Sequence, residues 1–509
     1  MLTLRPYQTE GVAGLRASFA AGKRAPLYVL PTGGGKTAIS GSVAAGAAAR
    51  GRIAWFVVPS LVLLAQTAEK FAEYGIRAGI IHAGFSPDAT APVQVITIQT
   101  LDRWCRKGVV RDPRTGRLFF PAGKRRPAMW APDLIVLDEA HHASAAQYLR
   151  VVAALPDSRL LGVTATPLRL DGKGLGAHVG GCFDDLVEGP SITDLIGLGH
   201  LVHPTVYAPS VGVDLSGVAT RAGDYAVAEA AARVDKPAIT GSVVGHYKGL
   251  AAGARAVAFC CSIAHSQHVA DEFRAAGVVA QHLDGETPED ERRRIIAAFS
   301  RGEIRVMTNC ALVSEGFDVP AVEAAILLRP TQSLAMFLQQ VGRALRPAAG
   351  KGRAVILDHV GNVQRHGLPD EDRTWSLEGG RRKSGGDADT KPPPVRQCPE
   401  CFAAHRPAPK CPVCGFTYVA QAREVEHREG ELKAVDRAAL DRMRFEQRRE
   451  VRDASTRADL ERIAAARGYK PGWVDHQLSA RGQRAGARSR AMDADLEHQA
   501  RLHGYGGAR

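Results

Sequence analysis

Residues 27–37 read LYVLPTGGGKT, and the fold follows from how this stretch is built. LYVL is a short apolar run of the kind that forms a buried strand. The Pro-Thr-Gly-Gly-Gly segment cannot extend it, and the Ala-rich residues 37–50 then read as a helix. Strand, glycine turn and helix together let backbone N–H groups turn inward around an anion at a helix N-terminus. Thr32, Gly33, Gly34 and Gly35 supply that backbone. Lys36 brings a positive charge to the β- and γ-phosphates of a nucleotide, and Thr37 offers a hydroxyl to Mg²⁺. The general phosphate-loop pattern has a further glycine where Leu30 stands.

Outward from this loop the same alternation continues. Residues 53–58 (IAWFVV), 93–98, 134–137 and 160–163 read as strands. A second series follows at 256–260, 279–283, 306–308, 324–328 and 354–357, with helical stretches at 265–276, 288–299 and 333–341 between them. Continuous apolar strands separated by helices predict parallel sheets covered on both faces. The expected fold class is α/β, with two such domains in tandem. Residues 134–141 read LIVLDEAH, so a buried strand delivers Asp138 and Glu139 at its carboxyl edge, where open α/β sheets place their ligands. Asp138 is suited to holding Mg²⁺, and Glu139 to orienting and deprotonating an attacking water. With Lys36 and Thr37 they make a set competent for phosphoanhydride hydrolysis.

Composition excludes other classes. A chain of 509 residues that is 45% hydrophobic and 23% charged is a folded multidomain protein, not a disordered one. The net charge of +13 suggests a polyanionic partner, although an excess spread over so long a chain also serves solubility. The most apolar stretch, 53–65, is broken by Pro59 and Ser60 and is too short to span a bilayer. The first residues show no basic segment followed by an apolar one, so a cytoplasmic location is expected.

Five of the nine cysteines are scattered, and four form two close pairs. Cys398-Pro-Glu-Cys401 and Cys411-Pro-Val-Cys414 stand nine residues apart, with Gly415 after the second pair. This is zinc-ribbon spacing, and the reading is a closed structural Zn²⁺ site of four thiolates. His405 is expected to be an exposed loop residue. Residues 377–394, rich in Gly, charge and Pro, read as a linker. Residues 421–509 carry 19 Lys/Arg and 15 Asp/Glu, net +4, in a helical pattern.

The motifs taken in order resemble a superfamily 2 helicase of DEAD/DEAH type, and among these the bacterial and phage RadD-type helicases. Residues 4–8 (LRPYQ) resemble the Q-type motif, which places Arg5 and Gln8 at the adenine. PTGGGKT resembles motif I, whose helicase form lacks the first glycine. Val58-Pro59-Ser60 and Thr97-Ile98-Gln99-Thr100 resemble motifs Ia and Ib, implying that Pro59, Ser60 and Thr100 hold a nucleic-acid backbone. Asp138 to His141 resemble motif II, and Thr164-Ala165-Thr166-Pro167 motif III, which couples hydrolysis to strand movement through His141, Thr164 and Thr166. Residues 259–265 resemble motif IV. Residues 308–320 resemble motif V, implying Thr308 at the nucleic acid and Gly316 and Asp318 near the ribose. Residues 339–346 (QQVGRALR) resemble motif VI, with Gln339 at the nucleotide and Arg343 and Arg346 as arginine fingers.

The resemblance implies two RecA-like helicase domains, a zinc ribbon and a small helical C-terminal region. The expected boundaries are 1–204, 205–245 as connection, 246–376, 377–394 as linker, 395–420 and 421–509. It implies an ATP-dependent helicase or translocase on DNA, in repair or recombination, with ATP, Mg²⁺ and Zn²⁺. The competing readings are a duplex translocase or remodeller, an RNA helicase, and a scaffold whose ribbon and tail recruit a single-strand-binding protein. Weaker features are a basic stretch at 103–126 between Trp104 and Trp130, read as a strand-contacting patch or a solvated loop. Residues 168–173 (LRLDGK) are expected beside the nucleic-acid groove, and Tyr469 and Trp473 as anchors of the helical tail.

Overall fold

A computed structural model describes residues 2–85, 88–123, 128–169, 174–209, 213–221, 223–310, 322–378, 394–418 and, further on, 446–447, 449–451, 453–454, 456–467, 469, 472–475 and 477–478. It divides into two compact units, residues 1–419 and 420–509. Within the first unit, a seven-stranded sheet runs in the order Asp185–Glu188, Pro26–Val29, Arg159–Thr164, Leu134–Leu137, Ala54–Val58, Val93–Thr97 and Ala78–Ile81, all parallel. Every side chain of Pro26–Val29, Ala54–Val58 and Leu134–Leu137 is buried, as strands covered on both faces require. Helices Lys36–Ala48 and Leu61–Glu73 each follow a strand and pack back on the sheet.

The second sheet begins with six parallel strands in the order Ala280–Leu283, Val306–Cys310, Ala256–Cys260, Ala324–Leu327, Arg353–Asp358 and His203–Tyr207. His203–Tyr207 pairs residue for residue with Arg353–Leu357, so the boundary expected at 204/205 falls inside a strand of this sheet. The sheet then continues antiparallel into Ala403–His405 and Arg396–Gln397, whose connection holds Cys398 and Cys401. The expected zinc ribbon is therefore built onto the second sheet.

The basic stretch after Trp104 forms a small antiparallel sheet, Val110–Arg111, Leu118–Phe120 and Met129–Trp130. It is anchored by Phe120, which stacks on Trp55 at 5.3 Å while Trp104 meets Trp55 edge-on at 6.0 Å. Trp104 is thus a core residue, whereas Trp130 stays exposed beneath Arg117. Arg106, Arg111 and Arg117 are each paired with an aspartate, and residues 124–126 lie outside the described chain.

The second unit holds the helix Arg457–Arg467, whose Leu460 and Ile463 pack with Ala454, Trp473 and Val474. Trp473 packs in this cluster, whereas Tyr469, 4.5 Å from it, is exposed and does not anchor the core. No helix among the described residues is long and apolar enough to cross a membrane.

Candidate active site and nucleic-acid groove

The phosphate loop joins Pro26–Val29 to Lys36–Ala48 through two left-handed glycines, Gly33 and Gly35, both at φ +89°. Gly35 caps the helix, and a Cβ there would stand 2.4 Å from the Gln8 Nε2 atom. The Q-type residues brace the loop from below. The Tyr7 hydroxyl donates to the Gly34 carbonyl at 2.7 Å and the Gln8 amide donates to it at 3.2 Å, while Gln8 Oε1 accepts from the Arg5 N–H at 2.9 Å. Gln8 is buried, and its amide is committed to the loop backbone.

Asp138 and Glu139 emerge from Leu134–Leu137 at the same carboxyl edge. Burial pushes the Asp138 carboxyl up to about 7, the Glu139 charge adds to this, and Lys36 opposes it. Glu139 sits at φ 46°, ψ 51°, a left-handed conformation that costs a non-glycine residue roughly 1–3 kcal/mol. The strain turns the chain sharply into the helical turn Ala140–His142 and sets two carboxylates side by side. His141 Nδ1 lies 3.2 Å from Thr164 Oγ1 and 3.5 Å from Glu139 Oε2. Thr164 Oγ1 in turn accepts from the Thr166 N–H at 3.2 Å. Motifs II and III are thereby one hydrogen-bonded chain, and Thr164 and Thr166 are fully buried within it.

Across the cleft stands the helix Leu334–Ala344. Gln339, Arg343 and Arg346 line a cavity of about 270 Å³ together with Thr32, Gly33, Gly35, Lys36, Thr37, Asp138 and Glu139. Close approach is enforced at Gly342, where a Cβ would lie 2.7 Å from the Thr32 Cβ. The helix Leu61–Glu73 adds Gln66, Thr67, Lys70 and Tyr74 to the wall, residues that sequence reasoning missed. Their signal was a polar face following Ser60, which caps the helix by accepting from the Leu63 N–H.

Asp138 is a buried carboxylate with a nearby hydroxyl at Thr37 and a second acid beside it. That donor set fits a hard, oxygen-preferring cation such as Mg²⁺. The four cysteine sulfurs lie within 4.8 Å of one another, with Cys398 to Cys414 at 3.6 Å and Cys401 to Cys411 at 3.7 Å. Zn–S bonds of ~2.3 Å in a tetrahedron set sulfurs about 3.8 Å apart, so the set fits zinc, and a disulfide at ~2.0 Å does not. Phe402 at φ 61° and Gly415 at φ 78° make the two knuckle turns. His405 departs from expectation. It is buried, with Nδ1 against the Arg406 carbonyl at 2.6 Å and Nε2 against the Tyr418 hydroxyl at 2.8 Å, because its strand continues the sheet.

On another face of the first lobe, Pro59, Ser60, Thr97, Gln99, Thr100, Arg103 and His82 line one open groove. Gln99 donates to the Pro59 carbonyl at 2.9 Å, tying residues 58–60 to residues 97–100. Thr308 does not join such a surface. It is fully buried, its hydroxyl donating to the Ser266 carbonyl at 2.8 Å and accepting from Ser266 Oγ at 3.0 Å. Gly316 and Asp318 lie outside the described residues, as do residues 170–173.

Comparison with known proteins agrees with this geometry. Residues 1–169 match the family described as the res subunit of type III restriction enzymes, and residues 243–348 match the conserved C-terminal helicase domain. The chain belongs to the superfamily 2 helicases, which hydrolyse ATP between two RecA-like domains. It is 36% identical to a 51.5 kDa protein of Lactococcus phage (isolate 7-9) over 62% of this chain and 69% of that one. It is 24% identical to the DNA 3'-5' translocase XPB2 of Sulfurisphaera tokodaii, over 68% of this chain and 79% of that one. The fold also resembles the type ISP restriction-modification enzyme LlaBIII bound to DNA, at a TM-score of 0.50 and 17% identity, covering 70% of this chain and 28% of that one.

Proposed function

We propose that this helicase is a DNA-stimulated ATPase motor that steps along a strand, and that the inter-lobe cavity is its engine. The observation that carries this reading is the convergence of Lys36, Asp138 and Glu139 from one sheet with Arg343 and Arg346 from the other around a single cleft. Phosphoryl transfer is accelerated by positioning and charge neutralisation, and this convergence supplies both. In this reading the left-handed glycines cradle the phosphates, with Thr32 and Gly34 beside them. Thr37 and Asp138 hold Mg²⁺, which supplies charge neutralisation at the phosphate oxygens. Glu139 orients the attacking water and accepts its proton. Arg343 and Arg346 bring positive charge to the γ-phosphate, and Gln339 contacts the nucleotide, as do Gly316 and Asp318 at the ribose. The His141–Thr164–Thr166 chain relays the state of the cleft to the groove at Pro59, Ser60 and Thr100.

The choice of DNA is supported by the named translocase relative, and a role in repair or recombination by the RadD-type motif resemblance alone. Zn²⁺ is read as a structural ion of the ribbon. In the competing scaffold reading, the ribbon and residues 421–509 would recruit a single-strand-binding protein. Strand displacement measured beside ATP turnover on the same forked DNA tests the motor. Displacement that follows turnover and is lost in Lys36→Ala supports it. Turnover without displacement favours a duplex translocase or remodeller.

A further inference from the structure

The helix that carries Arg343 ends just before the second cleft arginine. Leu334–Ala344 stops at Leu345, and Arg346 lies beyond its last turn, where the helix's own hydrogen bonds no longer hold the chain. Two contacts hold it: the Val202 N–H donates to the Leu345 carbonyl at 2.9 Å, and Lys351 gathers the carbonyls on either side. The Lys351 ammonium donates to the Arg346 carbonyl at 2.7 Å, to the Ala344 carbonyl, and to the Val322 carbonyl at 2.6 Å. An ammonium has three N–H donors, and here each meets a backbone carbonyl. The turn is closed by the Lys351 N–H bonding the Ala348 carbonyl at 3.0 Å, which wraps the chain around its own side chain. A cation at this place also satisfies the negative end of the helix dipole. Val322 is buried and opens the segment leading into Ala324–Leu327, so the same ammonium ties the second sheet to the arginine turn. On the other side, Gly33 of the phosphate loop faces Arg346, whose Cγ would lie 3.4 Å from a Cβ placed there.

We propose that Lys351 is a positioning residue for ATP hydrolysis, its ammonium fixing the turn that aims Arg346 and Arg343 at the phosphate loop. The proposal rests on the reading of those arginines as charge donors to the γ-phosphate. The site is partly buried, and burial holds the Lys351 ammonium down at about 8, with Glu323 opposing this and Arg255 and Arg346 adding to it. Among the described residues, those are the charged groups that act on it. As pH rises through that value the ammonium loses its charge and one donor, and the clamp weakens. An arginine in its place stays protonated.

The test is steady-state ATP hydrolysis by the full chain carrying Lys351→Met, Arg346→Ala or both, with thermal unfolding and fluorescent ADP binding measured on each. Lys351→Met is expected to lower kcat about 10- to 100-fold with KM for ATP changed less than about threefold, since only the transition state uses the misplaced group. The double variant is expected to be slower than Arg346→Ala alone by clearly less than the Lys351→Met factor, because only the effect passed through Arg343 remains. Losses that multiply, or an unchanged kcat in a folded Lys351→Met protein, overturn the proposal. If Arg346→Ala alone leaves kcat intact, the arginine-finger reading fails, which is a separate result. Should Lys351→Met not fold, Lys351→Arg decides. Wild-type kcat is expected to fall as pH rises past about 8 while the arginine variant holds its rate, and superimposable profiles overturn the proposal.

Discussion

At the scale of single residues, chemistry was most legible where a local turn demands it. The glycines of 33–35, Lys36, and the acids after an apolar strand announce themselves because each has few structural alternatives. Lys36→Ala is expected to lower ATP turnover by at least about 10³-fold with the unfolding midpoint nearly unchanged, as measured by phosphate release and thermal melting. Gly35→Ala should fail differently, since the added methyl meets the Gln8 amide in a left-handed backbone. Nucleotide binding itself is expected to weaken, read by ADP titration. Other residues were misjudged because burial is not a local property. His405 and Thr308 look like polar surface residues in the sequence, and both are enclosed by strands that pair with distant ones. Asp102 drew no reading from the sequence and proves to be a buried acid gripped by Arg150 and Arg106. Hydrogen bonding to Arg150 holds its carboxyl below the usual carboxylate range. A carboxylate lowered in the folded state stabilises above its unfolded value and loses that contribution as pH falls through its folded one. Asp102→Asn is therefore expected to melt about 2–4 °C below wild type at pH 7, with the gap closing below about pH 4.

At the scale of elements, the long apolar strands and the helices between them were readable from pattern alone. The strands Ala78–Ile81 and Asp185–Glu188 were not, because each is a four-residue strand at a sheet edge, the one interrupted by Gly79 and the other ending in Asp185 and Glu188. The stretch 103–126 was ambiguous for a related reason. Its charges dominate the composition, yet Phe120 decides its structure by stacking on Trp55. Phe120→Ala should destabilise the first lobe by about 3–5 kcal/mol through the cavity it leaves, visible as a lower denaturation midpoint. The ribbon gives the matching case in the second lobe. Its hairpin Arg396–Gln397 and Ala403–His405 pairs with His203–Tyr207, so stripping the thiolates of Zn²⁺ with a chelator is expected to loosen the sheet edge. Hydrogen exchange at Val206 and Tyr207 would report it, and unchanged protection there would detach the ribbon from the sheet's stability.

At the scale of the whole chain, two α/β lobes were evident in the sequence, but their boundaries were not. His203–Tyr207 follows the first lobe in sequence and joins the second lobe's sheet, a pairing across about 150 residues that no local periodicity encodes. The cleft was legible only as motifs in order, and the walls contributed by Gln66, Thr67, Lys70 and Tyr74 became apparent from packing. In the proposed motor this cleft hydrolyses ATP in response to DNA, which is read from ATP turnover with single-stranded DNA, duplex DNA and RNA added separately. Stimulation of at least about tenfold by DNA is expected, abolished in Lys36→Ala. Stimulation by RNA alone, or turnover indifferent to every nucleic acid, would contradict it.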